Sequence, residues 1–209
     1  MIVSPLGQEH VAAIAALHCE SLPGDFLPTL GRRFLEVLYR AMLELGVAIG
    51  QVAKEGEQVQ GFVIGTLDSG GLFGRVLQRK TFSLSIEVAR ALLRRPRLLW
   101  PTLETVLYPV KESADGVPKA ELLVIAVQAT RRNSAVGQRL LEHFEADLRA
   151  RGAAAYKVTV LERNAGARRF YERAGFARAH GFRLYRKDWL LYTKPIARAA
   201  RAAQESKNG

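Results

Sequence analysis

Residues 121–176 read ELLVIAVQATRRNSAVGQRLLEHFEADLRARGAAAYKVTVLERNAGARRFYERAGF, and this stretch decides the fold. ELLVIAV (121–127) is a continuous apolar run of strand length, the pattern of a strand covered on both faces. From 134 to 151, Val136, Leu140, Leu141, Phe144 and Leu148 recur on one helical face, and Gly152 is placed to end that helix. AYKVTVL (155–161) reads as a second core strand. Asn164 then opens a short helix with Ala167, Phe170, Tyr171 and Ala174 turned inward, and Gly175 stops it. Between the first strand and the long helix lies QATRRNSAVG (128–137), a loop of small and basic residues. Successive backbone N–H groups there, reinforced by the positive end of the helix dipole, make an anion site suited to a pyrophosphate.

Working outward, residues 8–18 and 29–44 carry helical stripes (Val11, Ile14, Leu17; Leu30, Phe34, Leu38, Met42), so two helices open the chain. GVAIGQVA (46–53), a turn at 54–57 and VQGFVIGTLD (59–68) form a hairpin signal, and residues 176–184 and 189–194 supply two closing strands. Residues 72–118 break the pattern with many arginines, helix-like pieces around 83–94 and 98–107, and Pro96, Pro101 and Pro109. They read as a helical insertion within one domain spanning 1–194, with a basic, flexible tail over 195–209. The insertion's apolar residues, among them Phe73, Leu77, Ile86 and Trp100, need a partner surface, and the rest of the domain is the nearest one, so the insertion is expected to lie on it as a helical cover.

Two motifs carry a family resemblance. Asn164-x-x-Ala167-x-x-x-Tyr171-x-x-x-Gly175-Phe176 resembles a motif of the GCN5-related N-acetyltransferase (GNAT) superfamily at every fixed position. The strand ending Ile125-Ala126-Val127, followed by Arg132-Asn133-Ser134-Ala135-Val136-Gly137, resembles the acyl-CoA signature of the same superfamily, with Ala135 where the first glycine usually stands. A Cβ at that position narrows the approach to phosphate and resists any positive φ.

The resemblance implies an α/β GNAT fold: a central mixed, mostly antiparallel sheet with helices on both faces, in which the strands 121–127 and 155–161 splay apart and the pantetheine arm lies in the gap. It also implies acetyl-CoA as acyl donor, with no metal, and transfer of the acetyl group to an amine of a small acceptor, anionic or sugar-linked among the options. Protein, peptide or hydroxyl acceptors are alternatives within the same superfamily. Residues 125–127, 132–137 and Asn164 would hold the cofactor, and Tyr171 would return a proton to the departing sulfur. Glu121 matches a glutamate that serves as base in some members; Glu20, Asp25, Glu162, His180 and water are the alternatives. Arg168 and Arg169 are candidates for phosphate contacts or solvated helix charges.

Composition sets the outer limits. The chain has 209 residues, 48% hydrophobic and 24% charged, and this excludes a mostly disordered chain. One cysteine, Cys19, and histidines only at 10, 18, 143 and 180 exclude a disulfide framework and a zinc site. No signal peptide or membrane-length apolar run is visible, so a cytoplasmic location is expected. The net charge of +11 attracts polyanions. Without a nucleic-acid-binding signature, nucleic acid is the weakest partner, whereas a non-catalytic role on a membrane surface through 72–118 is a rival reading. A homodimer is compatible with the sequence.

Overall fold

A computed structural model describes residues 1–23, 25–70, 72, 75–76, 86–90, 93, 116–131, 134–184 and 186–196. The element order is β1 (Ile2–Pro5), α1 (Val11–Ser21), α2 (Phe26–Thr29), α3 (Arg32–Glu44), β2 (Ile49–Glu55), β3 (Gln58–Thr66) and β4 (Glu121–Val127). It continues with α4 (Val136–Ala150), β5 (Ala155–Leu161), α5 (Ala165–Arg173), β6 (Ala177–Leu184) and β7 (Lys187–Pro195). All seven strands form one sheet in the order β1-β2-β3-β4-β5-β7-β6, and every neighbouring pair is antiparallel except β4 with β5.

Alternation along the strands divides the core into two layers. Val52, Phe62, Ile64 and Ala126 face α1 and α3, where Ile14, Phe34, Leu35, Leu38 and Met42 meet them. Val63, Leu122, Val158 and Leu190 face the other way, toward Leu140, Phe144 and Leu148 of α4 and Tyr171 of α5. Burying each such Leu or Phe side chain stabilises the fold by about 1.5–3 kcal/mol, so both faces must be covered.

Pairing between β4 and β5 is short. Glu121 sits opposite Lys157 and Leu122 opposite Val158, and no further rung follows. The cause is visible one strand away: Ile64 pairs with Val124 and Gly65 with Leu122, so Leu123 is an extra residue. A bulge of this kind bends its strand. β4 and β5 therefore part beyond Leu122 like the arms of a fork. Gly65 allows the close approach at the bulge, because a Cβ there would run into the Glu121 carbonyl oxygen and lie 2.5 Å from Phe144 Cζ.

Strand β1 carries no counterpart among the sequence expectations; only four residues long, it pairs with β2 from Ile2↔Lys54 to Pro5↔Gln51. At the other end β7 runs through Pro195 and Ile196 is buried, so a tail begins later than position 195. Residues 197–209 and most of 72–118, with the helix-like pieces expected at 83–94 and 98–107, lie outside the described residues. Of the insertion, Leu72 and Val76 are buried in the core on the α1/α3 side and Val88 packs against it, whereas Leu93 is exposed.

Candidate active site

The fork opens into a cleft of about 1070 Å³, lined by residues 123–127 of β4 and 158–161 of β5. Beyond Leu122 the β5-facing edge of β4 has no strand partner, so its backbone amides and carbonyls are available to an extended ligand. Four chain segments close around it: the start of α4, the inner face of α5, the α1–α2 connection and β7.

At the start of α4, Ser134, Ala135 and Gly137 line the cleft beside Arg131. Arg131 is ion-paired with Glu55, and Ser134 Oγ donates to the Arg131 carbonyl. Ala135 is the N-cap residue with φ −68°, so its position requires no glycine; the positive φ that the side chain would have resisted is not used. Gly137 faces Phe170, 3.5 Å from where its Cβ would stand. Val136 is buried under the helix and does not line the cleft. Arg132 and Asn133 lie outside the described residues.

Along α5, Asn164 caps the helix by accepting the Ala167 N–H at 3.0 Å, and its neighbours Gly166, Ala167 and Phe170 continue the wall. Tyr171 is 5% exposed, its ring set edge-on between Phe170 and Phe176 with centroids 5.2 and 5.1 Å away. Among the described residues its hydroxyl has no hydrogen-bond partner. Burial pushes this phenol well above its ordinary pKa, so it keeps its proton at neutral pH and can act as a donor and not as a base. Arg168 donates to the Glu162 carbonyl at 3.3 Å and Arg169 is exposed; neither lines the cleft.

Glu121 takes a different place. It lies at the closed end of the fork, 4% exposed, with Lys157 Nζ 3.7 Å from Oε2, and it is absent from the cleft wall. Of the other acidic and imidazole candidates, Glu20, Glu162 and His180 are exposed and outside the wall, whereas Asp25 lines it. Burial raises the Asp25 carboxyl above the usual range, against the pull of Lys187 and Arg163.

Among the wall residues that escaped the sequence reading are Arg173, Trp189 and Lys194. Arg173 stands three positions beyond Phe170, a helical spacing that marks the same face. Trp189 and Lys194 arrive on β7 and carry no local signal. Lys194 is held by Glu145 at 2.6 Å, and Glu145, which also lines the cleft, accepts from Tyr156 at 2.5 Å, which ties β7, α4 and β5 together at the wall.

A parallel pair that forks open, with a helix N-terminus on one side and a buried tyrosine on the other, defines an acyl-CoA-dependent transferase. A model of the acetyltransferase (GNAT) family matches residues 13–176, and the chain belongs to that family. The ribosomal-protein-S18-alanine N-acetyltransferase of Escherichia coli has the same fold, with TM-score 0.57 and 18% identity over 96% of each chain. So does the ribosomal-protein-alanine N-acetyltransferase of Brucella melitensis, with TM-score 0.61 and 12% identity over 94% of this chain and 100% of that one. The structure of yncA from Salmonella typhimurium with its cofactor acetyl-CoA gives TM-score 0.59 and 13% identity over 95% of each chain. No curated protein is detectably similar in sequence. The chain is thus an acetyltransferase, and acetyl-CoA is the donor of its family. Among the described residues no helix is long and apolar enough to cross a membrane, and no cluster of side chains could hold a metal ion.

Proposed function

We propose that the protein moves the acetyl group of acetyl-CoA to an amine of a small-molecule acceptor. The observation that carries this reading is the fork itself: an unpaired β4 edge over 123–127 facing a cleft that contains the Tyr171 side chain. In this reading residues 125–127 pair with the pantetheine arm, with the Val127 region polarising the thioester carbonyl, and the loop 132–137 with Arg131 receives the phosphates. Gly137 and Asn164 border the arm, and Tyr171 gives its proton to the departing sulfur. A cytoplasmic reaction, expected from the absence of a visible signal peptide in the sequence, fits this donor.

Calorimetry with acetyl-CoA, followed by thiol release across amines, amino sugars, nucleotide sugars and peptides, tests both halves of the proposal. Binding in the micromolar range and turnover with a small amine are expected; no binding at millimolar acetyl-CoA refutes it. Peptides are included because two proteins of the same fold are named for alanine N-acetylation of ribosomal proteins. A preference for them over every small amine would move the acceptor to a protein.

A further inference from the structure

The sheet is a partition with one opening, and the two sides of that opening differ in chemistry. Strand alternation assigns each wall residue to its side. Val158 and Val160 of β5 and Leu190 of β7 point toward α4 and α5. Leu161 and Trp189, paired across the same two strands and one position along each, therefore point to the opposite face. On β4 the bulge turns two successive residues, Leu123 and Val124, against the α1/α3 layer. The α1–α2 connection comes to the mouth on this face as well: Ser21 Oγ donates to the Val127 carbonyl at 3.5 Å, and Leu22 follows it in the wall.

Leu22, Leu123, Val124, Leu161 and Trp189 all line the cleft, so its wall on the α1/α3 face is mostly apolar, with Ser21, Thr159 and Asp25 beside them. On the α4/α5 face the same cleft carries Gln138, Glu142, Glu145, Arg173 and Lys194. Trp189 is the largest of the apolar group. Its Nε1 donates to the Leu184 carbonyl at 3.0 Å across the β6–β7 hairpin, so the indole has no donor left for a ligand and presents only its ring.

We infer that this wall is the acceptor subsite, that Trp189 is its specificity-determining residue, and that the acceptor is an amine with an apolar body, an arylalkylamine or an alkylamine. The inference rests on the acetyl-transfer reading above and names the substrate class of that same cleft. In that reading the donor enters from the α4/α5 face, where the loop before α4 and Tyr171 stand, and the amine approaches the thioester from the face left open. A body laid on Leu22, Leu161 and the Trp189 ring leaves water for apolar side chains. A body bearing several hydroxyls gives up its hydrogen bonds to water against a wall with too few partners to replace them. In the transfer itself the acceptor ammonium gives one proton to water, and the neutral amine forms the C–N bond as the C–S bond breaks. Tyr171 protonates the sulfur, and the nitrogen's surplus proton returns through water to the Tyr171 oxygen.

Propylamine, hexylamine, 2-phenylethylamine and glucosamine, each assayed by thiol release at saturating acetyl-CoA, test the subsite. The two alkylamines share one basicity, so only the length of the body separates them. Each fully buried methylene strengthens binding about fourfold, so hexylamine should exceed propylamine by about tenfold or more in kcat/KM. 2-Phenylethylamine should exceed glucosamine by a similar factor. Trp189→Ala should raise the KM for 2-phenylethylamine by about tenfold with a smaller change in kcat, and should lower the hexylamine-to-propylamine ratio by about fivefold. Trp189→Phe keeps an aromatic ring and should restore most of both. Leu22→Ser, on a connection outside the sheet, should shift the ratio in the same direction and serves where Trp189→Ala does not fold. Equal kcat/KM for the two alkylamines, a preference for glucosamine or for a peptide amine, an unchanged ratio in Trp189→Ala and Leu22→Ser, or no turnover of any of these amines by a parent that binds acetyl-CoA overturns the inference. Failure of the parent to bind acetyl-CoA in calorimetry would instead overturn the acetyl-transfer reading.

Discussion

Glu121→Gln distinguishes a base from a strut, and the two readings predict opposite results. The glutamate and Lys157 are about 5% exposed, 3.7 Å apart, and span the last-but-one rung before the fork opens. At that distance and an effective dielectric of about 20, their attraction is on the order of 4 kcal/mol. Removing one charge leaves the Lys157 ammonium buried without the carboxylate that faces it, and breaking such a pair costs about 3–5 kcal/mol. In a chain of this size each kcal/mol lowers Tm by roughly 2–4 °C, so Glu121→Gln should lose roughly 6–20 °C. Glu121→Gln/Lys157→Met removes both charges and should recover most of that loss. The assay is thermal and urea unfolding of the parent, the single variant and the double variant, with the pH profile of turnover measured on whatever remains folded at 20 °C. A strut predicts a lower Tm and an acid limb of unchanged position. An unchanged Tm together with a lost acid limb would refute the strut and return Glu121 to the role that its position in the motif implies.

Tyr171→Phe keeps the ring between Phe170 and Phe176 and removes only the hydroxyl, so turnover should fall roughly ten- to ten-thousandfold while calorimetry gives unchanged acetyl-CoA affinity. Gly65→Ala should destabilise by about 1–3 kcal/mol in urea unfolding, because the added methyl meets the Glu121 carbonyl and the Phe144 ring. His18 shares a 2.5 Å hydrogen bond with Tyr39, and burial lowers its pKa from 6.5 to about 4. Its folded pKa is the depressed one, so the unfolded chain binds the proton first and stability falls as pH drops from about 6.5 to about 4, by about 3 kcal/mol. His18→Gln should flatten that dependence in urea unfolding at pH 7 and pH 4.5. Leu72→Ala, at a site 1% exposed in the α1/α3 layer, should cost about 2–5 kcal/mol and raise the acceptor KM more than the acetyl-CoA dissociation constant.

What could be read from the sequence follows from how far apart the interacting residues are. β5 and the stripe of α4 were legible because a buried strand and an amphipathic helix each write their period into a few adjacent residues. The caps were legible for the same reason: Asn164 bonds three residues ahead, and Gly175 takes φ 88° where the helix ends. Strand β1 was not, since four residues ending in proline carry too little alternation to mark a strand. The fork was expected only through the family resemblance, because its local cause, a register shift between Gly65 and Leu122, is set across the long insertion and leaves no signal in either strand. Glu121 could be placed on its strand but not assigned its neighbour, for Lys157 is fixed by a parallel register 36 positions away. Asp25 and Trp189 come to one cleft from opposite ends of the chain, and neither lies in a motif.

This division of legibility has a physical cause in the two faces of the sheet. In the acetyl-transfer reading proposed above, the donor side falls on one continuous stretch, β4 through α5, where a long phosphorylated arm would meet a strand edge, a helix N-terminus and a proton donor in fixed order. Local geometry therefore constrains local sequence, and the motifs result. In the same reading the acceptor side falls to the α1–α2 connection and β7, which reach the cleft from distant parts of the chain, with the root of the insertion buried in the α1/α3 layer. Those segments need only converge, so their residues can change one at a time without disturbing the strands that hold the donor.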